Sequence, residues 1–279
     1  MSFHYKADYS GPHDAKGVPM LDYQGHVGLQ YNPIAIAQWG LANYNLWCDT
    51  NKKEYYKKFI ISAQWLCNNL ESNLNDQLVW MHHFDWEYRD TLLSPWYSGL
   101  AQGQGLSVLT RAYEEEKDKK YKYAAQDALE PFFKSINEGG VTYEDSNRNK
   151  WIEEYIVDPP THILNGFIWA LWGLYDYVIC FKDNNVKKLY ESYVKTLINE
   201  LDSYDTGYWS LYEHSGTKIK MIASPFYHQL HIIQLQVMYL LTKEKIFKYY
   251  SERWSSYSRK KSNKILSLLQ KCIFKILYY

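Results

Sequence analysis

The chain of 279 residues is long for one average domain but within the range of a single barrel or toroid. Its 46% hydrophobic and 22% charged residues are those of a chain that folds by burying apolar surface, which excludes disordered, collagen-like and low-complexity architectures. Lys+Arg and Asp+Glu both number 31, so no global basic field exists to hold nucleic acid by counterion release.

From the N-terminus, residues 1–30 carry Asp, His, Gly and Pro throughout and form an irregular segment with no apolar core of a secretory signal. Ala35 to Trp47 reads as a helix, a polar break Asp49 to Lys53 follows, and Tyr55 to Leu70 reads as a second helix. The hairpin recurs three times: Gly105 to Tyr113 with Tyr121 to Phe133, Phe167 to Phe181 with Val186 to Leu201, and Ile232 to Leu241 with Ile246 to Tyr257. Long connectors rich in Gly, Pro, Asp and aromatics join them, over Leu78 to Gln104, Gly139 to Asn165 and Asp202 to His228. The expected fold is an all-α, (α/α) toroid or incomplete barrel of stacked hairpins over residues 1–262. Small β-hairpins are expected on the connector rim at Gly140 to Tyr143 and Gly207 to Tyr212. Connectors of this length in a compact domain are usually functional.

The tail beyond the toroid, residues 263–279, closes a run from Arg259 with six basic residues and no acid, interleaved with Ile and Leu. It reads as a basic amphipathic helix, either docked on the barrel or holding the chain at a membrane surface or a partner helix. With no run of eighteen apolar residues seen, the expectation is a cytoplasmic protein, membrane-peripheral at most through this tail. Cys48, Cys67, Cys180 and Cys272 show no CxxC spacing and are expected as buried thiols.

Glycines at 99, 103 and 105 have a phosphate-loop rhythm but lack its lysine and preceding strand, so nucleotide binding is discounted. His82-His83 and His228-x-x-His231 lack the spacing and third ligand of a metal site, so no metal is expected. The aromatic load does stand out: 28 Tyr, 11 Trp and 10 Phe exceed what a core of this size needs, and aromatic faces with polar handles suit sugars. Acids and phenols cluster on the connectors at Glu153-Glu154-Tyr155, Tyr208 to Tyr212 and Phe226-Tyr227-His228, with a further charged patch at Asp85, Trp86, Glu87, Tyr88 and Arg89. Two phenols on opposite faces of a sugar ring would exchange a proton at one carbon, provided their surroundings favour the phenolate.

Six segments carry a resemblance: Tyr31 to Leu41; Trp96 to Gly105 with Arg111 to Tyr113; Trp151 to Tyr155; Leu164 to Phe167 with Gly173 to Asp176; Tyr204 to Gly207; and Tyr227-His228 with His231 and Gln234 to Gln236. In this order, from about Gly17 to Lys261, the chain resembles the C-terminal α/α domain of the D-glucuronyl C5-epimerases that act on heparosan-type chains. The resemblance implies cofactor-independent conversion of glucuronic to iduronic acid within a polymer. It implies catalytic tyrosines at Tyr155, Tyr212 and Tyr227 with Glu154 beside them, and a substrate contact at Asn165. Trp96, Tyr97, Gln102, Gln104, Arg111 and His228 are further substrate-binding candidates in the matched segments. Tyr212 and Tyr227 are expected as the opposed pair, with Glu154 and Tyr155 supporting or replacing one of them.

Two departures accompany the resemblance. The family has an arginine shortly after its second catalytic tyrosine, where this chain has Glu213-His214-Ser215, so neutralising the substrate carboxylate falls to His228, Lys218, Lys220 or Arg111. The β domains that precede the animal enzymes' toroid have no counterpart in these residues, so the groove is expected to be shallower or completed by a second subunit in a homodimer. Two alternatives remain at this stage: a uronate lyase that abstracts the same proton, and a glycan-binding protein without catalysis.

Overall fold

The computed structural model describes residues 4–88 and 91–278; Arg89 of the charged patch lies outside them. Among the described residues ten helices form. They are α1 (His4–Ala7), α2 (Pro33–Thr50), α3 (Lys53–Asn68), α4 (Gly99–Glu116), α5 (Lys119–Leu129), α6 (Leu164–Phe181), α7 (Asn184–Glu200), α8 (Pro225–Thr242), α9 (Lys245–Ser258) and α10 (Lys261–Tyr278). Pairs α2/α3, α4/α5, α6/α7 and α8/α9 are the four expected hairpins, and they build an (α/α) toroid.

All four hairpins turn in the same way. The inner helix ends on a residue in the left-handed region, Asn51, Lys117, Lys182 or Lys243, with φ of 57°, 54°, 55° and 63°. The next residue, Lys52, Asp118, Asp183 or Glu244, is already extended and starts the outer helix. Two residues therefore replace the longer breaks expected from composition. A β-carbon in the left-handed region is strained by about 1–2 kcal/mol, which glycine avoids at some entropic cost. Lys182→Gly is expected to raise unfolding stability by up to about 1 kcal/mol, and a denaturant midpoint at or below that of the parent would contradict this.

Two helix starts differ from the sequence expectation. α4 begins at Gly99, because Ser98 caps it by accepting from the Leu100 and Ala101 amides, and the glycine-rich stretch is helical. Its glycines serve packing: a β-carbon at Gly103 would lie 2.2 Å from Ala170 Cα, and one at Gly105 would lie 2.3 Å from the Trp80 ring. Gly103, opposite Ala170 and Gly173, lets α4 and α6 cross with their backbones in contact, and Gly105 seats the Trp80 ring. α8 begins at Pro225, capped by Ser224, so Tyr227 and His228 sit in its first turn rather than on the connector.

The core is continuous through the hairpins, and α10 joins it through Phe274, so the tail is not a separate unit. α6 is long and apolar enough to pass for a membrane span by composition, contrary to the sequence reading, but it packs as a central inner helix against α4, α7 and α8. None of the four cysteines is buried: Cys48 and Cys272 are exposed and the other two half-buried, all as free thiols. On the rim, Thr142–Glu144 pairs with Lys150–Ile152 as expected. The Gly207 segment makes isolated bridges only, Asp205 to Ser210 and Leu211 to Ile222, because its turn is held by Asp205 and Thr206 side chains.

Candidate active site

The inner helices α2, α4, α6 and α8 all start at the connector rim, so four helix N-termini, each partially positive, face the same end of the toroid. Asn32, Ser98 and Ser224 cap three of them, whereas Ile163 gives α6 no side-chain cap. The Glu154 carboxylate lies against that first turn of α6, and a β-carbon at Gly166 would fall 2.1 Å from its Oε2. Glycine there makes room for the acid.

The two adjacent acids have different surroundings. Glu153 accepts from the Thr161 and His162 amides at 3.3 and 3.0 Å and pairs with the His162 ring, so it organises the loop. Glu154 is 5% exposed, and its Oε2 has no hydrogen-bond partner. Burial pushes the Glu154 carboxyl up to about 8; Glu153 and Glu213 add to the rise, and a hydrogen bond from Tyr155 opposes it. The Tyr155 ring rests on Tyr88 and Trp96, with centroids 4.6 and 5.8 Å away. The Tyr88 hydroxyl donates to Glu213.

Tyr212 and Tyr227 touch edge to face, with ring centroids 4.8 Å apart. A sugar ring sandwiched between two groups needs about 7 Å, so these phenols are neighbours on one side rather than an opposed pair. Burial holds both above the ordinary tyrosine value, Glu154 adds to each, and a hydrogen bond between the two phenols partly offsets this for Tyr227. Tyr212 is tied to the start of α6 by its carbonyl, which accepts from the Leu164 amide at 3.1 Å. Glu154 thus couples electrostatically to Tyr227 and Tyr212 while bonded to Tyr155, and these four candidates converge. Asn165 joins them on the first turn of α6, its side-chain Oδ1 unpartnered and its carbonyl bonded to Gln234.

The other substrate-binding candidates go elsewhere. Trp96 reaches the cluster as a wall, stacked flat on His82 at 3.8 Å with its indole N–H on the Phe84 carbonyl. Tyr97, next along the same short strand, points the other way and donates to the Gly140 carbonyl at 3.3 Å. Gln102 is a brace, accepting from the Trp80 amide and donating to the Ala128 carbonyl. His228 is locked: its Nδ1 takes the Ser210 amide proton at 3.2 Å, so Nε2 carries the proton to the Trp254 carbonyl at 3.0 Å. Burial lowers this ring to about 4, so it is neutral and unsuited to offset a substrate charge.

Gln104 and Arg111 lie farther down the toroid. Below Tyr227, a layer of Leu100, Trp169 and Leu230, with Ile34 and Trp172 against it, fills the axis. Beneath it is a cavity of about 260 Å³ lined by Gln104, Ser107, Arg111, Trp172, Asp176 and Val237 among others. Ten residues of helix separate Tyr227 from Val237, about 15 Å. Arg111 is ion-paired there with Asp176, so it is not available to the tyrosines. Of the cationic candidates, Lys220 shares a small cavity of about 130 Å³ with Glu213, and Lys218 lines an outer one beside Tyr208. Tyr88 and Glu213 were not chosen from sequence as site residues; their placement beside Tyr155 depends on a contact across 125 positions. Among the described residues no three His, Cys, Asp or Glu side chains stand together as metal ligands.

Among solved structures, cellobiose 2-epimerase from Bacillus thermoamylovorans superposes with a TM-score of 0.60 at 13% identity, covering 82% of this chain and 60% of that one. D-mannose isomerase does so at 0.57 and 11%, covering 91% and 68%. These show the shared fold. The profile of the D-glucuronyl C5-epimerase C-terminus matches residues 75–256, and the chain belongs to that family. It is 31% identical over 225 residues to the D-glucuronyl C5-epimerase of Caenorhabditis elegans, which covers 74% of this chain but 36% of the relative. An uncharacterized protein of Methanocaldococcus jannaschii is 27% identical over 245 residues, covering 82% of this chain and 78% of that one. The chain therefore spans about a third of the nematode enzyme's length.

Proposed function

We propose that this site inverts C5 of a hexuronic acid residue within a heparosan-like polysaccharide, without the C4 substituent leaving. The observation that carries the proposal is the Glu154 carboxyl, buried, held near neutrality, bonded to Tyr155 and coupled to the Tyr212–Tyr227 pair. Glu154 and Tyr227 each raise the other's cost of ionising, so the cluster holds one negative charge more readily than two. A single mobile charge is what a two-base inversion needs.

The steps balance as follows. With Glu154 ionised, the Tyr155 hydroxyl passes its proton to the carboxylate as it takes the C5 proton, and the C5–H electron pair moves into the conjugated substrate carboxylate as an enolate. Tyr227 then delivers its hydroxyl proton to the opposite face of C5, and the enolate pair forms the new C–H bond. The charge has moved from Glu154 to Tyr227, whose phenolate accepts a hydrogen bond from Tyr212. Return of a proton from Glu154 to Tyr227 resets the site, and the reverse sequence runs on the other epimer. The substrate carboxylate faces the partial positive charge of the inner-helix N-termini, with Lys220, which lines a cavity with Glu213, as the candidate cation.

Family membership supports this reading, and incubation with heparosan in deuterated water tests it. New iduronate signals with deuterium at C5 are the expected result. An unsaturated uronate would make the protein a lyase, and absence of both exchange and product on uronate polymers would leave a glycan-binding role.

A further inference from the structure

Helix α10 docks with its apolar side outward. The face toward the body is Ser267, Phe274 and Tyr278, with Gln270 donating to the Lys220 carbonyl at 3.0 Å and accepting from the Tyr208 hydroxyl. Away from the body, Ile265, Leu269, Ile273 and Ile276 follow one another at helical spacing. They are 62%, 55%, 49% and 81% exposed, and Leu266, Leu268 and Leu277 beside them are exposed as well. An amphipathic helix that packed in the ordinary sense would bury this stripe. Lys264, Lys271 and Lys275, at the same face spacing, run down one flank; Arg259, Lys260 and Lys261 stand at its start, and no acid occurs from 259 onward. The body adds Lys218 and Lys220 beside Gln270, while Asp205 in the same depression is ion-paired with Arg253 at 2.5 Å. The helix also lies beyond residues 75–256, the part matched to the family.

We propose that α10 seats this protein on an anionic lipid surface, the Ile and Leu stripe among the acyl chains and the lysine flank in the headgroup layer. Both features are needed for the choice of partner. A polyanionic glycan would satisfy the lysines and leave seven large apolar side chains in water, and a second copy packed stripe to stripe would bring two lysine flanks together. An anionic bilayer accommodates both at once. The segment that α10 grips through Lys220 and Ile219 also holds the Tyr212 amide, through the Met221 carbonyl at 2.8 Å. Docking therefore holds the catalytic rim beside the lipid.

The test is flotation of the full chain with phosphatidylcholine vesicles containing roughly 30% phosphatidylserine, against phosphatidylcholine alone. The chain is expected to float with the anionic vesicles and at least about tenfold less with the neutral ones. Leu269→Asp with Ile273→Asp should cut the partition at least about tenfold, and each of Lys264→Glu and Lys275→Glu about fivefold or more, with unchanged circular dichroism. No flotation with anionic vesicles, or flotation indifferent to Leu269→Asp with Ile273→Asp, would overturn the proposal. A dimer in size-exclusion light scattering that these two substitutions dissociate, without vesicle binding, would assign the face to a second copy. The readout is binding, so it stands or falls separately from the epimerase assignment.

Discussion

Glu154→Gln is expected to lower turnover by about a thousandfold while making the protein more stable at neutral pH. The loss follows from removing the acceptor for the Tyr155 proton, and positioned proton transfer contributes about 10²–10⁴-fold. The gain follows from linkage. The Glu154 carboxyl is raised from 4.5 to about 8, so between these values the folded state holds a proton that the unfolded chain has released. Stability contributed at this position is therefore fully present below the unfolded value and declines as pH rises, until the folded carboxyl ionises near 8. At pH 7 the deficit approaches about 3 kcal/mol, which glutamine avoids. Thermal midpoints across pH 5 to 9 should show the variant above the parent with a flatter slope. The kcat/KM of the parent should rise with pH, half-maximal near 8, and the variant's residual rate should lack that rise. Equal pH profiles, or a variant less stable at pH 7, would remove Glu154 from the proton path.

Tyr155→Phe and Tyr227→Phe are each expected to abolish inversion by about three orders of magnitude, yet to leave opposite halves of the reaction intact. An enzyme lacking one phenol still exchanges the C5 proton of the epimer that presents it to the other. Deuterium wash-in without inversion should therefore persist from glucuronate in one variant and from iduronate in the other. Tyr212→Phe should be milder, about tenfold, because in the proposed cycle Tyr212 supports the Tyr227 phenolate by one hydrogen bond and exchanges no proton with C5. If Tyr212→Phe lost as much as Tyr227→Phe, with the same exchange pattern, Tyr212 rather than Tyr227 would be the reacting phenol.

Much of this arrangement was legible in the sequence, for reasons that are local. The hairpins follow from apolar positions at helical spacing, and the connectors from their aromatics and glycines. The segments carrying Glu154, Tyr155, Tyr212 and Tyr227 stand out by their acids and phenols on one rim, while the choice of these four residues rests on the family resemblance. Gln104 and Arg111 lie elsewhere because proximity in sequence to Trp96 says nothing about depth along a helix, and about one and a half and three and a half turns of α4 carry them past the apolar layer into the lower cavity. Extending the connector to Gln104 leaves out the first turns of the helix that does this; Ser98 as its N-cap is the signal in the sequence. Similarly, Ser224-Pro225 marks the start of α8 ahead of Tyr227. Contact between the Tyr212 and Tyr227 rings depends on how a connector meets the first turn of α8, which no local pattern encodes.

The apolar layer of Ile34, Leu100, Trp169, Trp172 and Leu230 has a bearing on how a long ligand travels. Ile34, Leu100, Trp169 and Leu230 come from all four inner helices and meet beneath Tyr227, so on the proposed function a polysaccharide would be laid across the rim rather than threaded through the ring, its interior links as reachable as its tips.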